Sequence, residues 1–493
     1  MKLLNRNNIF LLLVAIVYSL LTVLCLDHVY FWDSIQLVSK EAHWFYLTDF
    51  SSLLTPAQNS GAEIVATGCH PPLMGIMTAV LWKIVGYELW VSHVFVFLWF
   101  LILVFNVWKF VKLLFPEKFV GWILLIVLME STLLAQFTVA SSDFILFTAF
   151  VISLRAVLEK KPWLLTIGVF FLCCISMRGI FVGAILFFVH CFYNYSQSEQ
   201  KFGFCSFSKI LLPYFPTLLL LAAYFVYYFI ARGWFFSNTS NSQHYSQPIG
   251  LDKMIRHFAE FGLRSVENGR IIIWLIGFWV VSLSLKSKTL LSSYEKVLLL
   301  FFLLLNGLYI LFIFITQMPF SARYFMPQFF ILTILSMMGI TKYVEGWRIK
   351  FLFVLVLCFE LTGHLWIYPE KIAKSWDCTL AHLPYYELRE DCFDYIDQQN
   401  WDYKDISAGF CLYGDRRFIE LKNKSLKVGA DTKSRFFIYS NISNVEDEYV
   451  TELKNPHCWK PIKTFHKGMV IITIYQNENF YNFKKKDTSS LTL

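Results

Sequence analysis

The residues of this chain best suited to chemistry are few: Asp33, His70, Asp143, Arg264 and Arg323, with His257 and Glu130 beside them. A hydroxyl group is a poor nucleophile, and its attack is helped by a positioned carboxylate that takes the proton. Asp33 stands in Tyr30-Phe31-Trp32-Asp33-Ser34, where aromatic neighbours at an interface favour partial desolvation and hence a better proton acceptor. Asp143 stands in Ala140-Ser141-Ser142-Asp143, where an apolar run begins. Taken singly, each acid also fits an ordinary helix start, a position that Asp and Ser favour. Paired on one membrane face, two carboxylates can hold a divalent cation such as Mg, Mn or Zn, or divide the roles of base and substrate orienter.

The cationic candidates suit phosphate. His70 precedes Pro71-Pro72-Leu73, and a residue before proline is held extended, so its imidazole is placed to donate to a phosphate at the membrane surface. A lone interfacial histidine is also commonly just solvated. Arg323, within Pro319-Phe320-Ser321-Ala322-Arg323-Tyr324-Phe325-Met326-Pro327, occupies a tight turn between apolar runs and offers a planar fork. Its alternative is a snorkelling arginine. In 251–266, Leu251, Met254, Ile255, Phe258 and Val266 recur at helical spacing while His257, Glu260 and Arg264 fall on another side. That pattern predicts an interfacial helix whose polar stripe is either solvated or a source of a phosphate ligand, Arg264, and a metal ligand, His257. Glu130 falls near the middle of an apolar run, where a charge is expensive unless protonated or paired; it alone suits a proton-coupled carrier better than an enzyme.

The elements that must position these groups are membrane helices. Hydrophobic residues make up 57% of the 493 positions and charged residues only 16%, which excludes an ordinary soluble chain. The formal charge of +8 resides largely in short loops between apolar runs, so it reads as topology and not as nucleic-acid binding. About eleven runs are long enough to cross a bilayer: 8–27, 90–109, 119–140, 143–158, 163–177, 179–193, 209–231, 270–286, 293–316, 325–342 and 349–367. Lys2 and Arg6 set the amino terminus in the cytoplasm, and one side then collects Lys109, Lys112 and Lys118, Arg155, Lys160 and Lys161, Lys201 and Lys209, Lys286, Lys288 and Lys296, and Lys342, Arg348 and Lys350. The segment 71–86 is apolar but short, and counting it as a span would reverse this alternation, so it is expected to lie along the outer interface.

The outer face then holds the loops 28–89 and 232–269 and everything after about residue 368, including Asp33 and Asp143. Residues 368–493 differ in composition, with alternating runs such as Arg435-Phe436-Phe437-Ile438-Tyr439 and Met469-Val470-Ile471-Ile472-Thr473-Ile474-Tyr475 that predict strands of a mixed α/β domain. Cys378, Cys392, Cys411 and Cys458 lie there and allow two disulfides, the alternative being free thiols. The fold class expected is therefore an α-helical polytopic membrane protein with a carboxy-terminal extracytoplasmic α/β domain.

The order of these pieces resembles the GT-C superfold of membrane glycosyltransferases, especially the bacterial branch related to protein O-mannosyltransferases and to the aminoarabinose transferases that modify lipid A. In that family an acid after the first span is followed by a Lys-Pro-Pro-Leu-like element, an aspartate opening a later span, and an Arg-Tyr-x-x-Pro turn. Here these match Asp33, His70-Pro71-Pro72-Leu73, Asp143 and Arg323-Tyr324-Phe325-Met326-Pro327. The resemblance implies a sugar donor linked to polyprenyl phosphate, a glycan, lipid or protein acceptor, and a multi-pass position in a bacterial inner membrane with the carboxy-terminal domain periplasmic. It implies Asp33 as base, Asp143 as orienter or metal partner, and Arg323 and His70 toward the donor phosphate, with Arg264 of the 251–266 stripe as a further cation that could assist them. The family often has two adjacent acids where this chain has Asp33-Ser34, and lysine where it has His70; a histidine would make phosphate binding weaker and pH-dependent. A lipid or solute transporter and a glycan polymerase or ligase are the rival readings.

Overall fold

The computed structural model describes residues 6–56, 63–64, 70–197, 204–233, 250–315, 320–368, 376–422, 426–430, 434–443 and 445–480. Parts of both outer loops and the expected domain boundary near residue 368 adjoin residues outside this set. Each of the eleven apolar runs is helical, from Arg6–Cys25 to Trp347–Thr362. By length and composition six helices can cross a membrane, or up to eight if each of two sharply bent pairs is one span. The remainder are shorter than a bilayer core; Pro162–Ile175, for instance, has 14 residues, or about 21 Å at 1.5 Å per residue.

Lipid-facing and central helices differ in burial. Ser142–Leu158 is buried along its whole length, as a helix apolar on every side should be when it sits in the middle of a bundle. Arg6–Cys25 and Phe215–Arg232 instead leave Leu12, Leu20, Leu219 and Ile230 exposed, surface that only lipid suits. The bend in the third span, 58° between Glu117–Leu128 and Ser131–Thr138, occurs where Glu130 stops one helix and caps the next. The expected interfacial helices are Leu73–Val85 and Leu251–Val266, and the latter meets Ile271–Ser287 at 89°.

The carboxy-terminal region carries a small sheet ordered β1-β4-β6-β5, with β1 Ile406–Ala408, β4 Phe436–Ser440, β5 Trp459–Lys467 and β6 Val470–Asn477. β1 runs parallel to β4, and the other pairs are antiparallel. A short hairpin joins β2 Gly414–Asp415 to β3 Lys427–Val428. The edge strand β5 presents Lys460, Lys463 and Lys467 together with Pro461, which discourages pairing with another chain. This region docks on the first outer loop: the Tyr30 amide donates to the Ile419 carbonyl at 3.0 Å, His28 stacks on Tyr386 at 3.8 Å, and Phe31 lies flat against His382. Cys378, Cys392, Cys411 and Cys458 are free thiols and form no disulfide; the first three are buried, where close packing replaces a covalent tie.

Candidate active site

Two turns place the aspartates. Asp33 follows Trp32, whose backbone is left-handed (φ 55°), and Asp143 follows Ala140, also left-handed (φ 49°). Such conformations in non-glycine residues persist only where the surroundings impose them, and they concentrate at functional sites. Ser34 ties the turns together by donating to the Val139 carbonyl at 2.7 Å. Ser141 caps the helix Ser142–Leu158 by accepting from the Asp143 amide at 3.0 Å, so the Asp143 carboxylate is left to point away from the helix start.

Arg323 joins what these turns present. It sits in the short 3-10 turn Ala322–Phe325 that leads into Met326–Tyr343, with Pro327 in the first turn of that helix. Its Nε lies 3.2 Å from Asp143 Oδ2, and its two terminal nitrogens bond Asp33 and Asp377. Arg178 approaches Asp143 from the other side at 2.6 Å, its guanidinium 4.0 Å over the Tyr324 ring. Three carboxylates and two guanidiniums thus meet at one point. Among the carboxylates Asp33 alone is reachable, with 40% of its side chain exposed against 4% for Asp143 and 2% for Asp377.

The turn itself is held from below. Arg270 donates to the Ala322 carbonyl at 2.9 Å and pairs with Glu130 at 2.9 Å, and Glu130 accepts from the Leu133 amide at 2.7 Å as the helix cap. Gln136, on the same capped helix, donates to the Asp377 carbonyl at 2.8 Å. Glu130 is therefore paired internally, the option that removes its support for a proton-coupled carrier. Burial raises the Asp377 carboxyl above its ordinary range, while Arg323 opposes that shift.

A narrow cleft opens beside the charged cluster. One end is bounded by Asp143, Arg178, Arg323 and Tyr324, and the rest by apolar side chains such as Leu146, Phe181, Leu305 and Phe312. Its chemistry is amphiphilic: an anion at one end and a hydrocarbon along the other would both be satisfied.

No protein-family model and no curated protein matches the chain. Among solved structures it is similar to ArnT from Cupriavidus metallidurans in the apo state, with a TM-score of 0.55 at 10% identity over 95% of this chain and 98% of that one. The chain shares the fold of that structure. The structure of the same ArnT bound to undecaprenyl phosphate aligns with a TM-score of 0.49, again at 10% identity, over 94% of this chain and 97% of that one. With 95% of the chain covered, the likeness takes in the carboxy-terminal sheet as well as the helices.

Within this fold the structure brings Asp33, Asp143 and Arg323 together and leaves other expected residues apart. Arg264 is taken by Glu267, at 3.0 and 3.1 Å, and by the Phe320 carbonyl at 3.2 Å; it does not line the cleft. His70 is close by, its Nδ1 3.3 Å from the Met177 amide, but burial, reinforced by nearby Arg178, pushes the imidazole down to about 4. It is neutral at ordinary pH, so it offers an N–H donor and not a cation. His257 belongs to the largely exposed helix Leu251–Val266, and among the described residues no three His, Cys, Asp or Glu side chains gather to hold a metal ion. Asp33, Asp143 and His257 as placed do not suit a divalent cation, because guanidiniums already neutralise both carboxylates.

Two site residues were not singled out from the sequence. Arg178 stands between two apolar runs at the face that the lysines avoid, and an arginine against the positive-inside bias was the available signal. Asp377 gave none: nothing in Ser375-Trp376-Asp377-Cys378 distinguishes it from the other acids of the tail.

Proposed function

We propose that this chain transfers a sugar from a polyprenyl-phosphate donor to an acceptor hydroxyl at the outer face of a bacterial inner membrane. The observation that carries the reading is the amphiphilic cleft, which ends on Asp143 and two guanidiniums, one of which, Arg323, also pairs with the exposed Asp33 just outside the cleft's lining. A donor lipid lays its first isoprene units along Leu146, Phe181 and Phe312 and brings its phosphate to Arg178. Arg178 suits this better than Arg323, since it has one carboxylate partner where Arg323 has three.

Asp33 takes the proton of the acceptor hydroxyl as it attacks the anomeric carbon, and the polyprenyl phosphate leaves with its growing negative charge facing Arg178 and Arg323. All three carboxylates meet Arg323, but Asp143 and Asp377 are buried and Asp33 alone is exposed, so a single carboxylate can approach the anomeric carbon once Arg323 turns to the phosphate, which favours direct displacement with inversion. The carboxy-terminal region contributes Asp377 to this centre and so acts as part of it. Amino-terminal residues cytoplasmic and the sheet periplasmic is the orientation that the lysine distribution supports.

Native mass spectrometry of the purified protein with polyprenyl phosphate and with uncharged polyprenol tests the donor assignment. The reading expects the phosphate to be retained preferentially and Arg178→Ala to abolish the preference. Equal retention of the two lipids by the wild type would remove its basis.

A further inference from the structure

The membrane end opposite the Asp33 site carries a second, partly open recess, between the turn that follows Ser142–Leu158 and the helices Met177–Gln197 and Phe204–Leu211. Asp143 and this turn lie at opposite ends of a 17-residue helix, about 25 Å apart at 1.5 Å per residue. The recess is rimmed by Lys160, Lys161 and Lys209 with His190, Asn194 and Ser206, over a floor that includes the buried Leu165 and Ile210.

Among the described residues the rim is short of negative charge. The adjoining carboxylate, Glu159, meets Lys161 at 2.6 Å but is already held by Arg155 at 3.0 and 3.1 Å. Lys160 lies 5.8 Å from the Tyr193 ring centre and is exposed, and Lys209 is exposed as well. Lysines that only fix topology need to be at the correct end of a span and nothing more. Three around one concave surface with an apolar floor exceed that requirement. Trp163 and Phe207, next in sequence to the lining residues Pro162 and Ser206, are exposed large aromatics of the kind that sit at the headgroup level.

We infer that this recess binds the headgroup of an anionic phospholipid, with the phosphate among Lys160, Lys161 and Lys209 and the acyl chains on the lipid-facing sides of Pro162–Ile175 and Phe204–Leu211. Basic pockets between membrane helices on the lysine-rich side take such headgroups through charge attraction of the order found here. The site is separate from the sugar-transfer centre, and its occupancy does not depend on how that centre works.

The test uses full-length protein, delipidated in detergent and offered phosphatidylglycerol, phosphatidylcholine or inorganic phosphate as separate probes, with bound molecules counted by native mass spectrometry. The wild type is expected to retain phosphatidylglycerol and not phosphatidylcholine. Each of Lys160→Gln and Lys209→Gln should weaken that retention roughly fivefold, and the pair more. Both lysines are exposed, so the variants fold, and an unchanged melting temperature verifies it. Equal retention by wild type and double variant would overturn the site, and so would indifference between the two lipids. Displacement of bound phosphatidylglycerol by inorganic phosphate at comparable concentration would overturn the lipid as its source, assigning the recess to a soluble phosphate compound.

Discussion

Arg323 and Arg270 are neighbours in space, both buried, both paired with carboxylates, yet they occupy different kinds of surroundings. Arg270 is fully enclosed, meets the single carboxylate of Glu130, and spends its remaining donors on the carbonyls of Ala322 and Arg264. Arg323 meets three carboxylates that come from three separate parts of the chain, and it borders a cleft. A buried ion pair therefore does not identify a site by itself. What separates the two clusters is a reachable carboxylate: Glu130 borders only a small recess lined mainly by apolar side chains and the buried Glu360, and neither it nor Arg270 is exposed, whereas a site must leave room for the ligand it has yet to meet.

The sharpest way to break this comparison is Asp33→Asn. If the Arg323 cluster is the catalytic one, removal of its base should slow transfer by about 10²–10⁴-fold while expression and melting temperature hold. Arg178→Ala should follow, lowering kcat/KM for the donor by about 10- to 100-fold through loss of a charge-assisted contact, with kcat falling as well as KM rising because the contact strengthens as the phosphate departs. Arg270→Met should act chiefly on stability, by about 3–5 kcal/mol, because it strands the Glu130 carboxylate in a dry interior. The double change Arg270→Met with Glu130→Gln should cost less than the sum of the two, read by thermal unfolding, and transfer per folded molecule should fall less than tenfold.

Acid exposes the same contrast more gently. Burial lowers the imidazoles of His28, His43, His70 and His382, His28 to about 3 and the others to about 4, so the folded outer region holds them neutral. The unfolded chain takes up those protons near 6.5, so the stability they contribute is present above that pH and is lost as pH falls from 6.5 toward 4. Thermal unfolding of His70→Gln should show a smaller loss over that window than the wild type. Its transfer rate should show no inflection near neutrality that the wild type has and it lacks. A lysine-like, titrating role for His70 would produce one.

The helices were legible because membrane helices are written locally, in apolar runs of a length that the bilayer sets. Even the interfacial pieces, Leu73–Val85 and Leu251–Val266, followed from length and from a change of period. Strands β4 and β6 were placed within about two residues by alternation alone. The number of spans was less legible, since a bend such as that at Glu130 leaves no apolar gap. In the site, Asp33, Asp143 and Arg323 could be found because each adjoins the end of an apolar run on one face. Arg264 was singled out from the polar stripe of 251–266, and its partner Glu267, three residues on, holds it away from the cleft. Asp377 was invisible for the converse reason: it reaches Arg323 only through the docking of the carboxy-terminal region on the outer loop, a long-range contact that no local pattern encodes.

The most direct test is mass spectrometry of envelope glycolipids, polysaccharides and glycoproteins from a strain lacking this protein, complemented with wild type or with equally expressed Asp33→Asn. The account predicts that one defined sugar substituent disappears with the protein, returns with the wild type, and does not return with Asp33→Asn. Full restoration by Asp33→Asn would contradict it, leaving the Arg323 cluster as structural as that of Arg270.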